Sequence, residues 1–562
     1  MLSTGSGSPS GPPADPDQFD LLPGTEILRD LSSQSSESRP ILVPTPSDNP
    51  SDPLTWSKTW KCKLLHPPYS YSCIATAQRL TENHLDLVIG TQFLYLFVSV
   101  ESALSMGPMF PFFAEEFGLD ETQLGLLTGS CVLALGFANF LIVPCSNIFG
   151  RRVTSISLCA LGGATCIWQA LATSYSSLLA ARAINGIATA TSETILVQVV
   201  SDVFFLHDRG LWTGVYFMGY FLGLFIGPII AGNIAQTFGW RSFFWLSLAM
   251  TGVNLITLCA FFPETKYSRP ASNDSVPPHE VSSTEAHKSD SIQLENVDHC
   301  DPAPAIVGKG RPSKPQFTLW QSPDPNWKRF LIRDTISSIT VFSFPIILWA
   351  GLNVAGPANV LLYWNLTESA ILGSHPYNFT PSAVGYSNFA FVVGGVVGLL
   401  TAGPFSDWIA MRATRANNGI REAEMRLPAL IPYFFTSVAG IIIGGVGYSE
   451  KWSWLVVVVI GYGFSGLCVT AVPTIAVAYA VDCYRPISGE IMVVATVIKN
   501  SCGFAMSYWV FPLAGREGWV VPAMVQLALT AGPMVLGVPM YFGGGRWLRR
   551  VTRNSAVHSY GE

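Results

Sequence analysis

The chain has 562 residues, 49% of them hydrophobic and only 12% charged, with a mean hydropathy of +0.37. Water-soluble domains carry about a quarter charged residues, so the composition excludes an ordinary soluble protein and makes lipid the expected solvent. A formal net charge of −5 without any long Lys/Arg run excludes a nucleic-acid partner. The eleven cysteines stand singly, many inside apolar runs, at spacings that suit neither a zinc site nor a disulfide framework, so no metal and no cofactor is expected.

Residues 1–60 are rich in Ser, Pro, Gly and Asp, lack apolar periodicity, and read as a disordered cytosolic tail. No charged segment with an apolar core opens the chain, so the first apolar span is expected to direct insertion itself. Residues 61–86 fit no element and have the character of an insertion. From Leu87 onward, apolar stretches of about 20 residues recur, each long enough for a hydrocarbon core of about 30 Å. Six begin near Val88, Leu124, Val153, Leu178, Leu211 and Ser242, and the first half closes at Phe262. Residues 263–333 form a polar, proline-rich linker. Six further spans are expected at Ile336 to Tyr363, Ser382 to Phe405, Pro428 to Tyr448, Trp452 to Ala478, Ser488 to Pro512 and Val520 to Phe542, followed by a tail over 544–562. The fold class is therefore all-α and polytopic, with twelve transmembrane helices in two six-helix bundles over 87–262 and 334–543.

Basic residues cluster in alternate loops: Arg151 and Arg152, Arg209, then Arg412 to Arg426, Arg485, and Arg546 to Arg553. Positively charged loops stay cytoplasmic, which puts both termini and the linker in the cytosol and requires an even number of spans. The sequons at Asn365 and Asn378 then fall in an outer loop and are the glycosylation candidates.

Six plus six around a cytosolic linker resembles the major facilitator superfamily, whose halves rock about a central site. Pro144-Cys-Ser-Asn147-Ile-Phe-Gly150-Arg151-Arg152 resembles its first cytosolic signature, except that Pro144 replaces a Gly and Ser146 or Asn147 stands where the family has an acid. The cognate segment of the second half, Gly403-Pro-Phe-Ser-Asp407, keeps its acid. Arg182-Ala-Ile-Asn-Gly186 looks like the second signature. Gly214, Gly223, Gly227-Pro228 and Gly232 match the glycine spacing of the family's antiporter signature, where small residues allow close approach and proline weakens the helix. Further likeness is to a fungal branch of the drug:proton antiporters, carried by Asp52-Pro-Leu-Thr-Trp56-Ser-Lys58, Asp202 to Gly210, Pro263-Glu264-Thr265 and Asn417 to Leu427. That branch includes polyamine and organic-cation carriers and metabolite efflux pumps.

A charge at mid-bilayer costs at least about 2.5–3.5 kcal/mol on insertion scales, so each one needs a partner or a task. Glu193 on span four leads the candidates for a site where a proton and a cationic substrate compete; its alternative is a structural ion pair with a neighbouring helix. Glu101 on span one follows, or else is a protonated packing acid. Arg182 is costly unless paired or hydrated. Glu490 reads as a gate or loop cap, and Lys499 offsets either Glu490 or a substrate carboxylate. No nucleophile and base converge as an enzyme requires. The resulting expectation is a monomeric transporter in the plasma membrane, exporting amphipathic or cationic molecules against protons. Proton-driven uptake of polyamines or other cations is the alternative, and a non-transporting sensor a remote one.

Overall fold

Helix boundaries follow local chemistry. Span two starts at a capping box: Asp120 accepts the Gln123 backbone N–H at 2.7 Å, and the Gln123 side chain accepts that of Asp120 at 3.1 Å. Pro345 and Pro381 occupy the first helical positions of spans seven and eight, where a missing N–H is harmless. The computed structural model describes residues 25–27, 52–55, 87–204, 209–267, 312–319, 327–417, 420–484 and 487–552. The unplaced segment 61–86, most of the N-terminal tail and the C-terminal ten residues lie outside these.

Twelve spans are present among the described residues. In the first half they are Leu87–Leu104 with its continuation Phe110–Phe117, Glu121–Phe149, Arg151–Ala170, Tyr175–Thr189 with Thr191–Val203, Arg209–Phe238 and Trp240–Phe261. The second half has Pro345–Leu372, Pro381–Ser387 with Phe389–Ala416, Leu430–Ser449, Leu455–Tyr462 with Gly463–Cys483, Ser488–Glu517 and Val520–Val535. Among the described residues eleven helices are long and apolar enough to cross a membrane by themselves. Span four is the twelfth: it is divided at Ala190 and carries Arg182, Glu193 and Asp202.

Span seven departs from expectation. It begins at Pro345 rather than Ile336, because a separate helix, Trp327–Val341, ends just before it. It continues to Leu372 rather than stopping at Tyr363, because Asn365, Thr367 and Glu368 are buried against other helices rather than lying in a loop. Asn365 is consequently inside the bundle and is withdrawn as a glycosylation candidate, whereas Asn378 is exposed between spans seven and eight.

The N-terminal tail is also not wholly without structure. Thr25–Ile27 pairs antiparallel with Ile420–Glu422. Arg549, on the C-terminal helix Gly545–Thr552, donates to Thr25 Oγ1 at 3.3 Å and to Glu424 Oε2 at 2.7 Å. Asp52 and Leu54 are buried on the Thr191–Val203 helix. The end of the bundle holding these contacts, the linker and the C-terminal helix is the proximal end; the opposite one is the distal end.

Candidate functional site: a cavity between the halves

The break in span four has a local cause. Thr189 Oγ1 donates to Asn185 O at 2.9 Å and Thr191 Oγ1 to Ala188 O at 3.3 Å, and such back-bonding bends helices. Glu193 thereby falls in the first turn of Thr191–Val203, where the positive end of the helix dipole favours a carboxylate. It meets span eleven of the other half. Glu193 Oε1 accepts from Lys499 Nζ and from Tyr220 OH, the latter at 3.0 Å, while Oε2 accepts from Asn500 Nδ2 at 3.2 Å. Lys499 Nζ also donates to Tyr220 OH at 3.2 Å and lies 5.3 Å from the centre of its ring.

These groups line a cavity between the halves. Leu104, Val132, Phe221 and Leu224 form walls from the first half; Asn359, Asn365, Asn388, Val469 and Thr496 form walls from the second. The surface is mostly apolar with one carboxylate, one ammonium and several amides, a lining suited to amphipathic molecules. Lys499 offsets Glu193 rather than Glu490. Glu490 lies half-buried in the first turn of span eleven beside Arg333 and Asp334.

The other expected residues fall outside the cavity. Glu101 is buried within the first half; both its oxygens lie 3.3 Å from Ser247 Oγ, and its Cα and Cγ press on Gly227. Arg182 is buried, and the acceptors around it are neutral: Leu127 O at 3.3 Å, Ser102 O at 3.1 Å, Gln169 Oε1 at 3.2 Å, and Ala103 O. Ser102 and Ala103 end the Leu87–Leu104 helix just before Pro108, so Arg182 caps carbonyls that the break in span one leaves without helical partners.

The antiporter-signature glycines are points of close approach. A Cβ on Gly223 would come within 2.7 Å of Phe97 O, and one on Gly227 would strike Ser105 of span one. A Cβ on Gly232 would stand 2.5 Å from Pro381 O, and one on Gly385 2.8 Å from Pro228 O, both across the halves. Gly214 lies in span five, ahead of these contacts. Gly186 meets Cys131 O of span two, while Gly403 has no close neighbour. Gly150 adopts φ +99, a conformation for which glycine is suited, and the Glu264 carboxylate sits against it. Glu264 accepts the N–H groups of Arg151 and Arg152 at 2.9 and 3.1 Å, capping span three, while the Arg152 guanidinium takes carbonyls of Leu258, Cys259, Phe262 and Phe317.

Tyr220, Asn500 and Glu368 were missed from sequence. Tyr220 is flagged only by its place on the glycine-rich helix. Glu368 is a buried acid on span seven whose Oε2 accepts from Asn388 Nδ2 at 3.1 Å. Sequence hides it because the polar residues at the end of span seven have the character of a loop. The aromatic residues Trp349, Tyr363, Trp364, Tyr386 and Phe389 do not line this cavity; Tyr220 and Phe221 do.

Two six-helix halves around a shared cavity have a known counterpart. The Major Facilitator Superfamily profile matches residues 91–485. The chain belongs to that superfamily. It is 26% identical to an uncharacterized MFS-type transporter of Schizosaccharomyces pombe over 93% of both chains. It is also 26% identical to Protein HOL1 of Saccharomyces cerevisiae, over 95% of this chain and 97% of that one. The crystal structure of the human organic anion transporter MFSD10 (TETRAN) shares the fold, with a TM-score of 0.54 at 14% identity over 80% of this chain and 98% of that one. The protein is thus a multi-pass membrane transporter of small molecules and not an enzyme.

Proposed function

We propose that this transporter exports amphipathic or cationic molecules in exchange for protons, with both termini in the cytosol and Glu193 as the coupling carboxylate. The observation that carries the reading is the Glu193–Lys499 ion pair, made across the two halves inside the cavity. A buried charge left without its partner is penalised by several kcal/mol, so Glu193 always requires a cation or a proton. With the site empty, Lys499 fills that need. A cationic substrate competes with Lys499 for the carboxylate, and a proton removes the charge and releases either one. Because occupants exclude one another, a proton gradient drives substrate the opposite way. Tyr220, which contacts both charges, holds them in register. The apolar walls contribute affinity and the single carboxylate the preference for cations.

The test is accumulation of a labelled lipophilic cation and of labelled spermidine in cells expressing the protein, with and without a protonophore. Efflux predicts lowered accumulation of the lipophilic cation that recovers on uncoupling. Raised spermidine accumulation that collapses on uncoupling would instead establish uptake. Glu193→Gln should abolish coupled flux while the protein still reaches the membrane; normal coupling in that variant removes Glu193 from the mechanism.

A further inference from the structure

The first cytosolic signature has Ser146 or Asn147 where its family has an acid, and the structure shows what Asn147 touches. Asn147 Oδ1 accepts from Arg151 Nη1 at 2.7 Å, while Asn147 Nδ2 donates to Asp334 Oδ2 at 2.6 Å. Arg151 also binds Asp202 at 3.3 Å and the Ser146 carbonyl at 2.9 Å. The corresponding place in the second half behaves differently: Asp407 pairs directly with Arg426 at 2.8 Å, and Arg426 binds Asp482 at 2.6 Å. There the acid and the arginine stay within one half. Asn147, having both an acceptor and a donor, satisfies its own arginine and still reaches a carboxylate elsewhere.

That carboxylate lies on the helix Trp327–Val341, which leads into span seven of the second half. The helix packs on span two and on span eleven. Asp334, Ser337, Ser338 and Val341 are buried on its inner face, whereas Ile332, Ile336 and Ile339 are 59%, 52% and 59% exposed at helical spacing on the other. An exposed apolar stripe opposite a buried polar one is the pattern of a helix with its outer side in lipid. Phe140 of span two stacks on Phe342 at the end of the same helix, with ring centres 6.2 Å apart.

We propose that Asp334 supplies, from the second half, the acid missing from the first signature, and that the Arg151–Asn147–Asp334 chain is the latch of the proximal gate. The proposal rests on the transport reading, since a gate has meaning only where the halves move. The amide is then the required residue at position 147. A carboxylate there would stand 2.6 Å from that of Asp334, and like charges so close repel. Among the described residues, two other charged groups face Asp334: Arg333, whose Nε lies 3.0 Å from Oδ1, and Glu490 of span eleven. Arg333 already serves the second oxygen, and Glu490 adds to the repulsion that a further acid would meet.

The experiment uses the full-length protein carrying Thr496→Cys in the cavity, treated from the proximal side with a membrane-impermeant maleimide and corrected for labelling of the parent without that substitution. Membrane levels are followed by a fluorescent tag. Asn147→Asp is expected to raise the labelling rate roughly fivefold, a shift of about 1 kcal/mol toward the proximally open state. Asn147→Asp with Asp334→Asn, which restores one acid and one amide in exchanged places, should return it to within about twofold of the parent. Equal labelling of the single and double variants, or no rise in the single one, overturns the latch. If Asn147→Asp does not reach the membrane, Asp334→Ala carries the test, because it removes the same hydrogen bond without adding a charge. A rise is expected there too, and its absence overturns the proposal. Lack of any cation or spermidine flux by the parent would instead count against the transport reading, independently of the labelling pattern.

Discussion

The two ends of the bundle are closed by different physics. At the distal end the halves meet through backbone: Gly232 against Pro381, Gly385 against Pro228, Gly107 against Asn365, and Ser507 Oγ on Gly125 O at 3.0 Å. The apolar clusters there are shared, since Leu366 and Phe511 of the second half pack with Phe113 and Phe243 of the first, and Phe225 of the first packs with Trp364 and Phe391 of the second. At the proximal end each half keeps its own core: one cluster runs through Val88, Ile142 and Phe262, the other through Ile347, Val472 and Tyr479. What crosses the halves there includes the Asn147–Asp334 bond and the stack of Phe140 on Phe342. Close packing of backbone is short-ranged and tolerates no added atom, whereas polar bridges act over longer distances, adapt to small shifts and weaken in salt. A transporter with one end of each kind has one gate set by shape and one that charge can tune.

The largest expected effect comes from adding atoms to the distal seal. Gly232→Val forces side-chain atoms onto the Pro381 carbonyl; overpacking of this kind costs about 1–3 kcal/mol, or roughly 5- to 150-fold in the closed population. Flux should fall by that order with the protein still in the membrane, and undiminished flux would show that the distal contact is not remade in each cycle. Next is Glu264→Ala at the proximal end, which uncaps span three; loss of about 1–2 kcal/mol is expected, read as a lower Tm in detergent. Smaller still is Arg426→Ala, which breaks a partly exposed network worth about 1 kcal/mol or less. Because Arg426 joins acids of its own half, its loss is read as a small drop in Tm that shrinks in high salt, whereas the Gly232→Val defect should not change with salt. A salt-independent Arg426→Ala phenotype would undo the contrast between the ends. The smallest change is Asn378→Gln, expected to remove a glycan-dependent gel shift and leave flux unaltered. An unshifted wild-type protein in a glycosylating host would take Asn378 off the outer surface.

What was legible in the sequence was local. Apolar length, loop charge and glycine spacing belong to single segments, so the two halves, the succession of apolar spans, and the sites of close packing on span five follow from residues near one another in the chain. Span four was legible despite its polarity because Arg182 and Glu193 punctuate an otherwise apolar stretch. The misleading signal is local as well: polar residues at the end of span seven resemble a loop, which places Asn365 outside and hides Glu368, whereas both are buried in the bundle.

Only the tertiary structure decided partnership. Glu193 and Lys499 are 306 residues apart, and nothing in either segment names the other. Glu101 and Glu193 looked alike as lone acids in apolar helices, yet packing within the first half buries one against Ser247 while the interface places the other in the cavity. Arg182 needed no acid, because a break in another helix left carbonyls within its reach. In sequence a neutral residue in the first signature is only the loss of a charge; the fold is what sets Asp334 beside Asn147. Lipid solubility and helix length are sums over neighbouring residues, which a sequence contains; the neutralisation of a buried charge depends on which helices lie side by side, and that is settled when the two halves pack.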